Sequence, residues 1–169
     1  MTNAEQEFLQ ETDARFERAC NSVEHCLNQL DDEQIWMRLT PHVNSIGIIL
    51  QHLCGNLRQW IVAGIGGAED VRQRAQEFEE REHFSNAEML ANFKAAIAEC
   101  RAILQRLTSE ELTAPRRIQG FDRNVLNAMY GTLIHLNLHV GQILFITHLI
   151  LGEKYVLTWT PQTKEQGAA

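Results

Sequence analysis

The sequence predicts an all-α fold, a four-helix bundle, on three observations. An apolar stretch runs from Leu126 to Leu151 without a proline. Two further segments, from Ala4 to Leu30 and from Ser85 onward, repeat apolar residues at three- and four-residue steps, and no segment of useful length alternates at the two-residue period of a strand. Four long helices suit one domain, placed at residues 1–155, followed by a polar tail, 156–169, expected to be partly disordered.

In the first helix Phe8, Leu9, Phe16, Ala19, Cys20, Val23, Leu27 and Leu30 form one buried stripe. His25 and Cys26 are sequence neighbours, which diverge by about 100° on a helix, so both read as structural. Asp31 to Val43, with Trp36 and Pro41, reads as a connector anchored by the tryptophan. Asn44 or Ser45 then caps a second helix reaching about Ile65, stopped by Gly66-Gly67.

That second helix has no charged residue before Arg58 and aligns Ser45, His52, Asn56 and Gln59. A solvated face would carry Lys or Glu, so an uncharged polar stripe reads as the lining of a pocket, against the blander alternative of a half-exposed neutral face. Residues 68–83 are strongly charged around Phe78 and read as a solvated connection over one mouth of the bundle. Ser85-Asn86-Ala87-Glu88 is a capping box, and the helix it opens buries Leu90, Phe93, Ile97, Cys100, Ile103, Leu104 and Leu107. Thr108 to Arg123, with Pro115, Arg116-Arg117 and Gly120, reads as a connector to the central helix, capped by Asp122 or Asn124. The central helix is expected to be shielded on most sides. After Gly152, Trp159 is expected to pack on the bundle and the residues past Pro161 to be disordered.

A net charge of −7 argues against nucleic acid, which needs clustered Lys and Arg to displace counterions. Cys20, Cys26, Cys54 and Cys100 show no C-x-x-C spacing and the amino terminus lacks the basic and apolar regions of a signal peptide, so a cytoplasmic location is expected. The long apolar stretch could span a bilayer by length, but Asn137, Gln142 and its histidines would be expensive in hydrocarbon, and no membrane partner is expected.

Chemistry concentrates in that stretch. His135 and His139 are four residues apart and Gln142 three further on, so all three project within about 60° of one another. A bundle could bring His52 from the second helix to the same place, which would set three neutral imidazoles around one divalent ion with a fourth position open. Carboxylate-bridged di-iron chemistry is set aside, because neither helix carries an internal Glu. His148 lies about 180° from His139 on the helix, and His42 and His83 sit in connectors, so none joins the group. Arg116 and Arg117 could reach a pocket mouth, although a surface role is the simpler reading.

Taken in order, Trp36, Asn44-Ser45-Ile46, His52-Leu53-Cys54-Gly55-Asn56, Trp60 and His135-Leu136-Asn137-Leu138-His139-Val140-Gly141-Gln142-Ile143 resemble the DinB/YfiT-like superfamily of metalloenzymes, over about residues 5–155. The resemblance implies a bundle with long crossover connections, commonly dimeric. It also implies a divalent metal, zinc or nickel, held by His52, His135 and His139. Many relatives read H-x-x-H-H-R-G-Q, whereas this chain has Leu138 for the middle His and Val140 for the Arg. The ligand positions survive that change, but any role of the missing Arg does not carry over. Some members use their metal to lower the pKa of a low-molecular-weight thiol, such as bacillithiol or mycothiol, for transfer to an electrophile or for isomerisation.

The expectation is therefore a divalent-metal-dependent enzyme acting on a small-molecule substrate, a thiol S-transferase-like activity among the possibilities, with Asn56 and Gln142 as pocket groups or partners of the ligands. The alternative is a non-catalytic, dimeric helical bundle that binds metal or a ligand. A homodimer is expected through Leu133, Asn137, Leu144, His148 and Leu151, the uncharged stripe opposite His135 and His139.

Overall fold

The structure, a computed structural model, describes residues 1–78 and 84–158. Four long helices make the bundle: α1 (Asn3–Leu27), α3 (Ile46–Leu57), α4 (Asn86–Leu104) and α6 (Val125–Leu151), with short helices α2 (Asp32–Trp36) and α5 (Ser109–Leu112) in the connections. Helix α1 packs against α4 and α6, and α3 packs against the same two. Two of the connections, α1 to α3 and α4 to α6, thus cross the bundle diagonally, as the long crossover connections expected from the resemblance do.

The helix starts follow from side-chain caps. Thr2, Ser85 and Asn124 each accept a hydrogen bond from a backbone N–H of the first turn, and Thr2–Glu5 and Ser85–Glu88 complete capping boxes. Ser45 caps α3 while fully buried, its Oγ accepting from Ile48 N at 3.3 Å. The core between the helices is continuous, from Phe16 and Val23 through Leu50, Leu53 and Phe93 to Leu136 and Ile143.

Trp36 does more than anchor a connector. Its ring lies so close to Gly47 that a Cβ there would sit 2.6 Å from the indole, and its Nε1 donates to Phe84 O at 2.8 Å, tying two connections together across 48 residues of chain.

Three local expectations need correction. The second helix is not a regular helix to Ile65: after Leu57 it widens into a π turn, Arg58–Ala63, with Gly64 N bonded to Gln59 O at 2.9 Å and Gly66 N to Ile61 O at 2.8 Å. The connector before α6 is not irregular but holds a hairpin, β1 (Pro115–Ile118) with β2 (Phe121–Asn124), turned by Gln119 and Gly120 at φ 52° and 81°. Both turn residues take the left-handed conformation that a two-residue primed turn requires. The strands Pro-Arg-Arg-Ile and Phe-Asp-Arg-Asn are four residues each and carry no apolar alternation, which is why the period test passes over them.

The third correction concerns α6, which is not shielded on most sides. Tyr130, Ile134, Leu138, Phe145 and Leu149 are all more than half exposed, while of the stripe expected on the open side Asn137 and His148 are exposed and Leu133, Leu144 and Leu151 are half-buried against the core. With α1 and α3 both packed on α6, the open face lies beside the histidines rather than opposite them. By length and composition alone Val125–Lys154 could cross a membrane.

Past α6, Tyr155 stacks on His148 with ring centroids 3.6 Å apart, and Val156 is held by Gln29 Oε1, which accepts from its N–H at 2.7 Å, and by His25 Nε2, which donates to its carbonyl at 2.6 Å. His25 thus has the structural role read from its position. The readings made for His83, Trp159 and the residues beyond Pro161 lie outside the described residues.

Candidate functional site

Helix α3 presents His52 and α6 presents His135 and His139 to one point. His52 is buried and the other two are half-buried; one ring nitrogen of each lies within 4.8 Å of those of the other two. His52 Nε2 is 2.9 Å from His135 Nε2, and the ring centroids are 5.1 Å (His52 to His135), 5.1 Å (His52 to His139) and 4.5 Å (His135 to His139) apart.

The nitrogens facing away from that point have partners of their own. His139 Nδ1 donates to Gln142 Oε1 at 2.7 Å, and His52 Nδ1 donates to Glu77 Oε2 at 3.0 Å. Arg72 Nη2 also lies 3.2 Å from His52 Nδ1, but its proton goes to Glu77 Oε2 at 2.8 Å, because an N–H facing a carboxylate is better placed than one facing a second donor. With Nδ1 so engaged, Nε2 is the nitrogen that His52 and His139 each keep free for a ligand.

Protonation favours the same state. Burial, with the neighbouring His139 and His52 and then Arg72 and Arg74, pushes the His135 imidazole down to about 4. Burial also lowers His139, against the opposing effect of the bond to Gln142. Neutral rings are what a metal needs. Three nitrogens about 2 Å from a tetrahedral ion lie roughly 3.3 Å apart, so this cluster needs only small shifts to hold one.

Glu77 and Arg72 come from the connection read as solvated surface, and that reading is overturned for them. Arg72 Nε donates to Glu77 Oε1 at 2.6 Å, with only 4% and 10% of the two side chains exposed. Burial alone would raise the Glu77 carboxyl, but the bonds from Arg72 and His52 outweigh it and hold the group below its ordinary value. Arg72 Nη1 donates to Gln59 Oε1 at 2.8 Å, and Gln59 Nε2 to Asp70 Oδ2 at 2.7 Å. Gly55 leaves the space this carboxylate fills, since a Cβ there would overlap Glu77 Oε1. The available signals were that glycine, in an otherwise apolar helix beside His52, and Phe78, an aromatic in a charged run that packs 5.4 Å from the His52 ring.

A pocket of about 370 Å³ opens beside His52 and His135, walled by Asn56, Trp60, Arg72, Arg74, Gln119 and Arg123. Asn56 is thus a pocket group, and Gln142 a partner of a histidine. Arg116 and Arg117 do not reach the pocket: Arg117 pairs with Asp122 at 2.9 Å on an exposed face, and Arg116 Nη1 donates to Pro115 O. Gln119 and Arg123 were missed because the hairpin that carries them was missed, and Arg74 because it lies in the charged run read as solvated surface.

The family model described as protein of unknown function, DUF1572, matches residues 3–164. Among solved structures, a conserved protein from Enterococcus faecalis superposes with a TM-score of 0.72 at 15% identity, covering 85% of this chain and 96% of that one. A DinB-like protein from Bacillus cereus ATCC 10987 superposes with a TM-score of 0.63 at 17% identity, covering 78% and 85%. No protein of curated function matches the chain. The chain belongs to the DUF1572 family, and its fold is that of the DinB-like protein.

Proposed function

We propose that this DinB-like protein is a divalent-metal-dependent enzyme that activates a low-molecular-weight thiol for transfer to an electrophilic small molecule. The observation that supports it is the convergence of three imidazoles, two of them oriented from behind by Glu77 and Gln142, at the edge of a pocket. His52, His135 and His139 would hold the ion, zinc or nickel as the resemblance implies, although three imidazoles suit several divalent ions. A divalent ion with three nitrogen ligands and an open position lowers the pKa of a thiol or water bound there.

A thiol suits the chain better than water. Both oxygens of Glu77 are engaged by Arg72 and His52, and among the described residues no Asp or Glu lines the pocket, so a hydrolytic water would lack a general base. A thiol bound as its thiolate needs none. The four cysteines are unpaired and none lines the pocket, so the thiol comes from a second small molecule, in keeping with a reducing cytoplasm.

The protein purified without chelator should carry about one divalent ion per chain, measured by elemental analysis. Alanine at His52, His135 or His139 should each reduce occupancy sharply. Full occupancy in a His135→Ala, His139→Ala double variant would sink the site. In a cobalt-substituted sample, titration with a small thiol should shift the visible spectrum. A spectrum that thiol leaves untouched favours a non-catalytic metal-binding bundle.

The uncovered face of α6 supports a homodimer. Tyr130, Ile134, Leu138, Phe145 and Leu149 are exposed along it, and Phe145 and Leu149 line a cavity of about 550 Å³ with Leu39 and Val43. A two-fold contact would bury it against its own copy. Phe145→Glu should give a folded monomer by light scattering with its metal content intact; a Phe145→Glu protein still dimeric would place the contact elsewhere.

A further inference from the structure

The pocket beside the histidines is positively charged in a chain whose net charge is −7. Arg72, Arg74 and Arg123 all line it, and among the described residues no carboxylate does. Arg72 is neutralised by Glu77. Arg74 and Arg123 form no ion pair with a described residue; each instead lies over an aromatic ring, Arg74 at 5.0 Å from the Phe78 centroid and Arg123 at 5.4 Å from that of Phe121. Such contacts hold a guanidinium in place without cancelling its charge.

The hairpin adds two further signs. Arg123 pairs directly with Arg116 across the strands, and like charges in that position repel, so stability does not explain the residue. Gln119, at the tip, takes a left-handed backbone at φ 52° although it is not glycine, and its side chain lines the same pocket. Asn56 and Asn127 add amide donors around the space.

We propose that this pocket binds a small molecule through an anionic group, a carboxylate or phosphate, gripped by Arg74 and Arg123 from two separate connections, with Gln119 closing on it. The proposal rests on the reading of the site as a small-molecule pocket and supplies its substrate class: a ligand with a charged end at the arginines and its reacting end toward the histidines. It does not require the ion. Guanidinium groups bind both oxyanions with charge-assisted, often bidentate bonds, and removing two such groups is worth roughly tenfold or more in affinity.

The test is titration calorimetry at low ionic strength with inorganic phosphate, succinate and the neutral succinamide. The protein should bind phosphate or succinate and not succinamide, and which of the two binds more tightly identifies the anion. An Arg74→Gln, Arg123→Gln double variant should lose at least about tenfold in affinity while keeping its metal content, whereas Arg117→Gln, outside the pocket, should bind as the parent does. The His135→Ala, His139→Ala variant should still bind the anion. If neither anion binds, if succinamide binds equally well, if the arginine variant binds unchanged, or if Arg117→Gln costs as much, the proposal is overturned. Loss of anion binding in the histidine variant alone would also overturn it, by moving the anchor to the ion. A parent that carries no metal when purified without chelator would sink the metalloenzyme reading, and succinate binding through Arg74 and Arg123 in that protein would leave this one standing.

Discussion

Two arginine–glutamate pairs brace this bundle with the same bidentate geometry in different surroundings. Arg58, at the start of the π turn, reaches Glu99 on α4 with contacts of 3.0 and 3.1 Å, and its side chain and that of Glu99 are 37% and 40% exposed. Arg72 and Glu77, within one connection, make contacts of 2.6 and 2.8 Å and are 4% and 10% exposed. A buried pair gives up far more hydration than an exposed one, and its mutual attraction seldom returns more than that loss. Stability therefore accounts for the first pair and not for the second. What distinguishes Glu77 is its third bond, to His52: the pair is kept in the interior to hold an imidazole in one tautomer.

The largest expected effect comes from splitting the buried pair. Arg72→Ala leaves a carboxylate in the interior without its guanidinium partner and should cost about 3 kcal/mol in denaturant unfolding. A loss below about 1 kcal/mol would make the two pairs equivalent and remove the contrast.

Glu77→Gln sharpens the comparison from the other side. The amide keeps the shape and an acceptor for His52 Nδ1 but loses the charge, and metal affinity measured by competition with a chromophoric chelator should fall by roughly 10- to 100-fold. Unchanged affinity would show that the carboxylate does not support His52 as a ligand. Smallest of all should be Arg58→Ala, costing less than about 1 kcal/mol and leaving metal affinity alone, since its pair is half in solvent and touches no histidine.

The parts of this fold that were legible in the sequence are those set by local pattern. Capping residues at Ser45, Ser85 and Asn124 mark real helix starts, and the H-x-x-x-H spacing alone puts His135 and His139 on one face. The parts that were not are set by what packs on what. A charged run looks the same whether its arginine is solvated or folded back on a glutamate, so Arg72 and Glu77 read as surface. The open face of α6 was placed opposite the histidines, but Leu133, Leu144 and Leu151 on that side are half-buried, only Asn137 and His148 of the stripe are exposed, and the larger apolar opening falls to Tyr130, Ile134 and Leu138 instead. Hairpin strands as short and polar as Pro115–Ile118 and Phe121–Asn124 leave no period to find.

The wide turn at Arg58–Ala63 has a consequence for chain length. A π turn is what an α-helix becomes when one residue too many is fitted into it, so the chain from Gly64 onward is rotated by about 100° from where an unbroken helix would carry it. That rotation seats Gly64 under Ile118 of the hairpin, at a separation where a Cβ would lie 2.6 Å from the isoleucine. Shortening the turn by one residue would leave His52, His135 and His139 where they are and bring a side chain under Ile118, lifting the hairpin away with Gln119 and Arg123. The histidines and the arginine wall are thus coupled through the register of a single helical turn, and an insertion or deletion there can retune what enters the pocket without altering a residue that lines it.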